Sequence, residues 1–105
     1  VNSEFVTQDN AIATTLGYLY GSDSLVKIRF DDSGTLYTFS VPAEDAKLIT
    51  VDYENGQLSI ADLLSWYKEQ SRIMGTIRAM RRRGDVQWVS RYWVQGIDKE
   101  GNKIK

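Results

Sequence analysis

The chain has 105 residues, of which 42% are apolar and 26% charged, and it contains neither cysteine nor histidine. Those absences exclude disulfides, thiolate nucleophiles, imidazole bases and the usual zinc, iron or copper ligand sets. Its net charge of −1 conceals a division. Residues 1–58 hold nine acids and three bases, whereas residues 59–105 hold five acids and ten bases. Asymmetry of this kind points to nucleic-acid or membrane contact, or to an acidic sheet that faces a basic helix within the chain.

Residues 1–11 are mixed and polar and read as an arm or first turn. Ile12 to Tyr20 fits either a strand or a short helix starting near Asn10, and the Gly21-Ser22-Asp23-Ser24 cluster marks a loop. In Leu25 to Asp31, Val26, Ile28 and Phe30 alternate with Lys27, Arg29 and Asp31, the period of a half-buried strand. Asp32-Ser33-Gly34 supplies turn residues. The next strand places Tyr37, Phe39 and Val41 on one side and ends at Pro42. Ile49, Val51 and Tyr53 alternate in the same way, and Asn55-Gly56 predicts a tight turn into a further short strand.

Ser59 has the character of a helix N-cap, with Asp62 in the first turn. Ile60, Leu63, Leu64, Tyr67 and Met74 then fall on one helical face. Beyond Gly75 the stripe moves to Ile73, Ile77 and Met80, which predicts a kink or break there. Gly84 suits the residue that closes a helix. From Asp85 the period returns to two. Val86, Trp88, Tyr92 and Val94 share one face, and Val89, Arg91, Trp93 and Gln95 share the other. Residues 99–105 read as a polar tail.

These elements predict one α+β domain. An antiparallel meander of four to five strands, with a small barrel as the alternative, is crossed by one helix kinked or broken near Gly75. The expected core is Tyr37, Phe39, Ile49, Val51, Leu63, Tyr67, Trp88 and Tyr92. No apolar stretch approaches the ~20 residues that span a bilayer, and no leader pattern is visible, so the expectation is a cytoplasmic protein without membrane contact.

Two groups of residues stand out as candidates for binding. Arg78, Arg81, Arg82 and Arg83 place four planar, permanently charged guanidiniums within six residues, a geometry suited to phosphate. Arg91 and Trp93 share the outward face of the last strand, where they could stack on unpaired bases or anchor an interface. The carboxylates Asp31, Asp32, Asp52 and Glu54 sit where turns and strand ends favour Asp, and their spacing matches no calcium loop. With no P-loop, no dinucleotide fingerprint and no histidine partner for Ser or Tyr, an enzyme is not expected, nor is a cofactor.

The expected function is binding of nucleic acid through Arg78, Arg81, Arg82 and Arg83, with Arg91 and Trp93 adding contacts. The alternative is a protein-interaction module or inhibitor, including a homodimer joined through acidic-sheet to basic-helix contacts. The chain length, the absence of Cys and His, and the hairpin Val26 to Val41 with its Asp-Asp-Ser-Gly turn together resemble small phage or mobile-element accessory proteins. That resemblance carries over no residue role.

Overall fold

The structure is a computed structural model and describes residues 2–90. Along the chain run β1 (Asn2–Thr7), α1 (Asn10–Tyr20), a short 3₁₀ turn (Ser22–Ser24), β2 (Leu25–Asp31), β3 (Gly34–Pro42), α2 (Ala43–Glu54), α3 (Leu63–Arg83) and β4 (Gln87–Val89). The fold is α+β. Among the described residues four strands, all paired antiparallel, form an open sheet in the order β1-β3-β2-β4. Only β2 and β3 are neighbours in both sequence and space, so the sheet is neither a sequential meander nor a closed barrel among the described residues.

The β2–β3 hairpin follows from its turn and its parity. Asp31 Oδ1 accepts from Ser33 N at 2.8 Å and from Ser33 Oγ at 2.6 Å, while Gly34 takes a φ of 126°. Those contacts hold the Asp31 carboxyl below its ordinary range, the Ser33 hydroxyl contributing most. In register, Ile28 faces Tyr37 and Leu25 faces Phe39, with an irregularity between Leu25 and Lys27. This bulge turns Leu25 to the same side as Ile28, one residue off strict alternation. Val26, expected on the inner face, is buried but stands outside the main cluster.

Residues 2–7, read as an arm, form an edge strand on β3 with Phe5 opposite Phe39. Asp9 then caps α1, accepting from Ala11 N at 2.8 Å and Ile12 N at 3.2 Å. Six consecutive residues of α1, Ile12 to Gly17, are buried. A run that long passes all round the helix, so the middle of α1 is enclosed on every side, while Leu19 in its last turn is exposed. Its buried Thr14 and Thr15 hydroxyls bond back to the carbonyls of Asn10 and Ala11, each at 2.8 Å. The side chain of Glu69 from α3 lies against Gly17, in the space a Cβ there would occupy.

The largest departure from expectation is residues 43–56. The strand read from Leu48 to Tyr53 is the second half of α2. Glu44 and Asp45 occupy its first turn, where they complement the positive end of the helix dipole, and Ala46 and Ile49 point inward at helical spacing. Val51 is 50% exposed. Asn55-Gly56 makes no hairpin. Gly56 (φ 70°) closes α2, its N–H donating to Tyr53 O while Gln57 N donates to Asp52 O. Nor does a strand follow: no described residue between α2 and α3 is in one.

Asp62, not Ser59, is the N-cap of α3, accepting from Ser65 N at 3.1 Å. The helix runs unbroken through Gly75 for 21 residues, so the break expected there does not occur. What moves is not the helix but the identity of its inner stripe. Ile73, Ile77 and Met80 are buried, and toward the N-terminus Gln70 and Trp66 continue that side. Gln70 Nε2 donates to Asn10 Oδ1 at 3.0 Å, and Trp66 Nε1 donates to Thr15 Oγ1 at 3.1 Å. Leu63, Leu64 and Tyr67, read as inner, are 56%, 66% and 53% exposed.

β4 returns beside β2, with Trp88 opposite Ile28. One apolar cluster joins α1 (Ile12, Leu16), β2 (Leu25, Ile28), β3 (Tyr37, Phe39, Val41), α2 (Ala46, Ile49) and α3 (Ile73, Ile77, Met80). Of the expected core, Tyr37, Phe39 and Ile49 belong to it and Trp88 packs against it. Val51, Leu63 and Tyr67 do not. Tyr92, Val94 and the polar tail lie outside the described residues. No helix among those residues is long and apolar enough to cross a membrane.

Candidate functional site: the arginine end of α3

The C-terminal half of α3 is pinned by Ile73, Ile77 and Met80, and that anchoring decides where its arginines point. At ~100° per residue, Arg78 and Arg82 stand roughly 140° and 180° from Ile73, directed away from the core. They are one turn apart, and both are exposed. Arg81 and Arg83 fall on opposite flanks, and each has a neighbour within the chain. The Arg81 guanidinium lies over the Phe30 ring of β2, 5.3 Å from its centroid. Arg83 Nε donates to Asp85 Oδ2 at 2.8 Å.

The helix closes just beyond. Gly84 adopts the left-handed conformation (φ 73°), its N–H donating to Arg81 O, while Asp85 N donates to Met80 O at 2.9 Å. Arg81, Arg82 and Arg83 occupy the last turn and complement the negative end of the dipole. Arg78 sits a turn earlier, where that effect has largely died away. Over its length α3 carries six bases (Lys68, Arg72, Arg78, Arg81, Arg82, Arg83) against one acid, Glu69. Glu69 is engaged by Arg72. Among the described residues, no carboxylate pairs with Arg78, Arg81 or Arg82.

The cluster expected from sequence therefore divides into three kinds of residue. Arg78 and Arg82 form the exposed ridge, Arg81 is held on Phe30, and Arg83 is partly neutralised by Asp85. Arg91 and Trp93 lie outside the described residues. The carboxylates Asp31, Asp32, Asp52 and Glu54 divide between the β2–β3 turn and α2, and among the described residues no group of three or more acids could hold a metal ion.

A cleft of about 330 Å³ opens beside Trp88, with Arg72, Asp23, Ser22 and Ser90 on its walls. Its residues come from the 3₁₀ turn and the start of β2, from α3, and from β4 with Ser90 just beyond it, segments far apart in sequence, so no local pattern announces it. Its one guanidinium is already bonded to Glu69, from Nε at 3.1 Å.

Comparison with known proteins finds no matching family model, and no curated sequence or solved structure matches the chain.

Proposed function

We propose that the chain binds nucleic acid, with Arg78 and Arg82 contacting backbone phosphates and Arg81 flanking them. One observation carries this reading: two exposed guanidiniums stand a turn apart on a rigid helix, without a carboxylate partner among the described residues. Dipole complementation accounts for basic residues in a last turn but not for Arg78. Guanidinium matches phosphate oxygens bidentately, and a helix backed by a packed core keeps the spacing fixed. Phosphate contacts of this kind position a protein on a strand without selecting its sequence. Overall acidity does not oppose the reading locally, because the bases are concentrated on α3 and the acids elsewhere.

Titration of labelled single-stranded and duplex oligonucleotides at several salt concentrations tests it. Each neutralised phosphate contributes a log–log slope of about −0.7 to −0.9, so three contacts give roughly −2 to −3. Absence of binding at low salt defeats the proposal.

A second reading, a protein-interaction module, draws on a different observation: the apolar Leu64 and Tyr67 at the other end of the same helix are exposed. Exposed apolar groups adjoining charged ones are common at protein interfaces. Binding through those residues would be far less sensitive to salt than phosphate contact.

A further inference from the structure

The cleft beside Trp88 differs in chemistry from the arginine ridge. The Glu69 side chain, only 11% exposed, accepts from Nε and Nη2 of Arg72 and fixes that guanidinium on the cleft wall. The pair engages two of the five N–H donors of an arginine and offsets its charge. Among the described residues no further acceptor holds Arg72, whose side chain is 36% exposed. Asp23, exposed on the 3₁₀ turn, lines the same cleft, yet it forms no ion pair with Arg72 or with any other described base. Trp88 both packs against the apolar cluster and lines the cleft, so its indole is a fixed surface. Ser22 and Ser90 add hydroxyls to the wall.

We infer that this cleft receives one unpaired guanine base. Phosphate is not what it fits, because Arg72 is offset by Glu69 and Asp23 adds a further negative charge. The walls offer donors, an acceptor and an aromatic surface, and guanine needs all three. Its O6 and N7 accept from a guanidinium, its N1–H and amino group donate to a carboxylate, and its ring stacks on an indole. Adenine sets a donor amino group beside N7 and has no N1–H, so it opposes Arg72 and leaves Asp23 unpaired. A volume of about 330 Å³ is of small-ligand size. Stacking on Trp88 requires a base that has left its own stack, so the site selects single strands or flipped bases. Arg72 precedes Arg78 on the same helix, about 9 Å away along the axis. The base site thus extends the nucleic-acid reading and rests on it for the strand that delivers the base, whereas free nucleosides probe the cleft without the ridge.

Titration of the full chain with guanosine, adenosine, cytidine and uridine, followed by amide chemical shifts of the isotope-labelled protein, tests the inference. Guanosine should give saturable shifts at Ser22, Asp23 and Ser90, and the other three should bind roughly tenfold more weakly or less. Asp23→Ala, at an exposed position, should weaken guanosine by roughly tenfold and leave the thermal melt in place. The same variant should bind a guanine-free oligonucleotide as the parent does. Absence of saturable guanosine binding, equal binding of all four nucleosides, or indifference to Asp23→Ala overturns the base site. The ridge reading then stands or falls separately, on whether the guanine-free oligonucleotide binds. Selective guanosine binding by a chain that binds no oligonucleotide upholds the cleft and defeats the ridge.

Discussion

The two halves of α3 belong to one unbroken helix, yet they are held by different forces and present different surfaces. The C-terminal half is anchored by apolar burial through Ile73, Ile77 and Met80, and it turns arginines outward. The N-terminal half is anchored mainly by hydrogen bonds: Asp62 N to the Tyr18 hydroxyl, Trp66 to Thr15, Gln70 to Asn10. It turns leucines and a tyrosine outward. The comparison teaches that apolar character does not locate the inside of a helix when polar side chains provide the attachment. What the neighbouring element offers decides it. α1 offers Thr15 and Asn10 to one half of α3, and the sheet side of the core is met by the other.

The contrast can be broken most forcefully in the core. Ile77→Ala should cost about 2–5 kcal/mol by urea denaturation, whereas Leu63→Ala should stay within about 0.5 kcal/mol. Equal losses would mean that the helix face is assigned wrongly. The polar anchor is worth less. Trp66→Phe keeps an aromatic ring, smaller than the indole, and removes the donor to Thr15, so the loss should be at least the hydrogen bond's share of about 0.5–1.5 kcal/mol. No loss would show that packing alone holds this end. A smaller difference separates neighbouring arginines: Arg81→Ala forfeits the stacking on Phe30, about 0.5–1 kcal/mol, besides its share of the dipole interaction, whereas Arg82→Ala forfeits only the latter, about 0.3 kcal/mol.

The smallest effect is read through pH. The Ser65 hydroxyl and backbone N–H bond to the Asp62 carboxylate and hold its pKa below the ordinary value, as Ser33 does for Asp31. A carboxyl depressed in the folded state stabilises fully above the unfolded pKa, and the contribution disappears as pH falls through the folded value. Both groups are exposed, so the effect is modest. Asp62→Asn retains a capping oxygen without the titration and should flatten the acid limb of the melting profile. An unchanged limb would show that the cap is not electrostatic.

How far the sequence spoke for the fold varies by element, for physical reasons. The β2–β3 hairpin was legible because its Asp-Ser-Gly turn and its alternation agree. The bulge after Leu25 was not, since it needs the register of the partner strand. β1 was missed because an edge strand with one inward aromatic, Phe5, shows little alternation. α2 was misread because Ile49, Val51 and Tyr53 alternate like a strand, while the helical evidence lay in Glu44 and Asp45 after Pro42. Gly56 and Gly84 make the same pair of capping hydrogen bonds. Only the second was recognised, since Asn before Gly is also the signature of a hairpin. The arginine cluster was legible as composition, but its division into ridge, stacked flank and neutralised flank required Phe30 and Asp85 in place. The contribution of Arg91 and Trp93 lies beyond the described residues.

The proposed reading has Arg78 and Arg82 serve a partner, with Arg82 adding only a small dipole contribution to the fold. The direct test is the Arg78→Ala, Arg82→Ala double variant, assayed in parallel for thermal unfolding and for oligonucleotide binding across salt concentrations. The expected result is a melting temperature lowered by no more than the loss of one exposed dipole contact, weakened binding, and a salt slope shallower by about 1.4–1.8 for two lost phosphate contacts. A sharply lowered melting temperature with binding and slope intact would contradict it, and would make these arginines part of the scaffold.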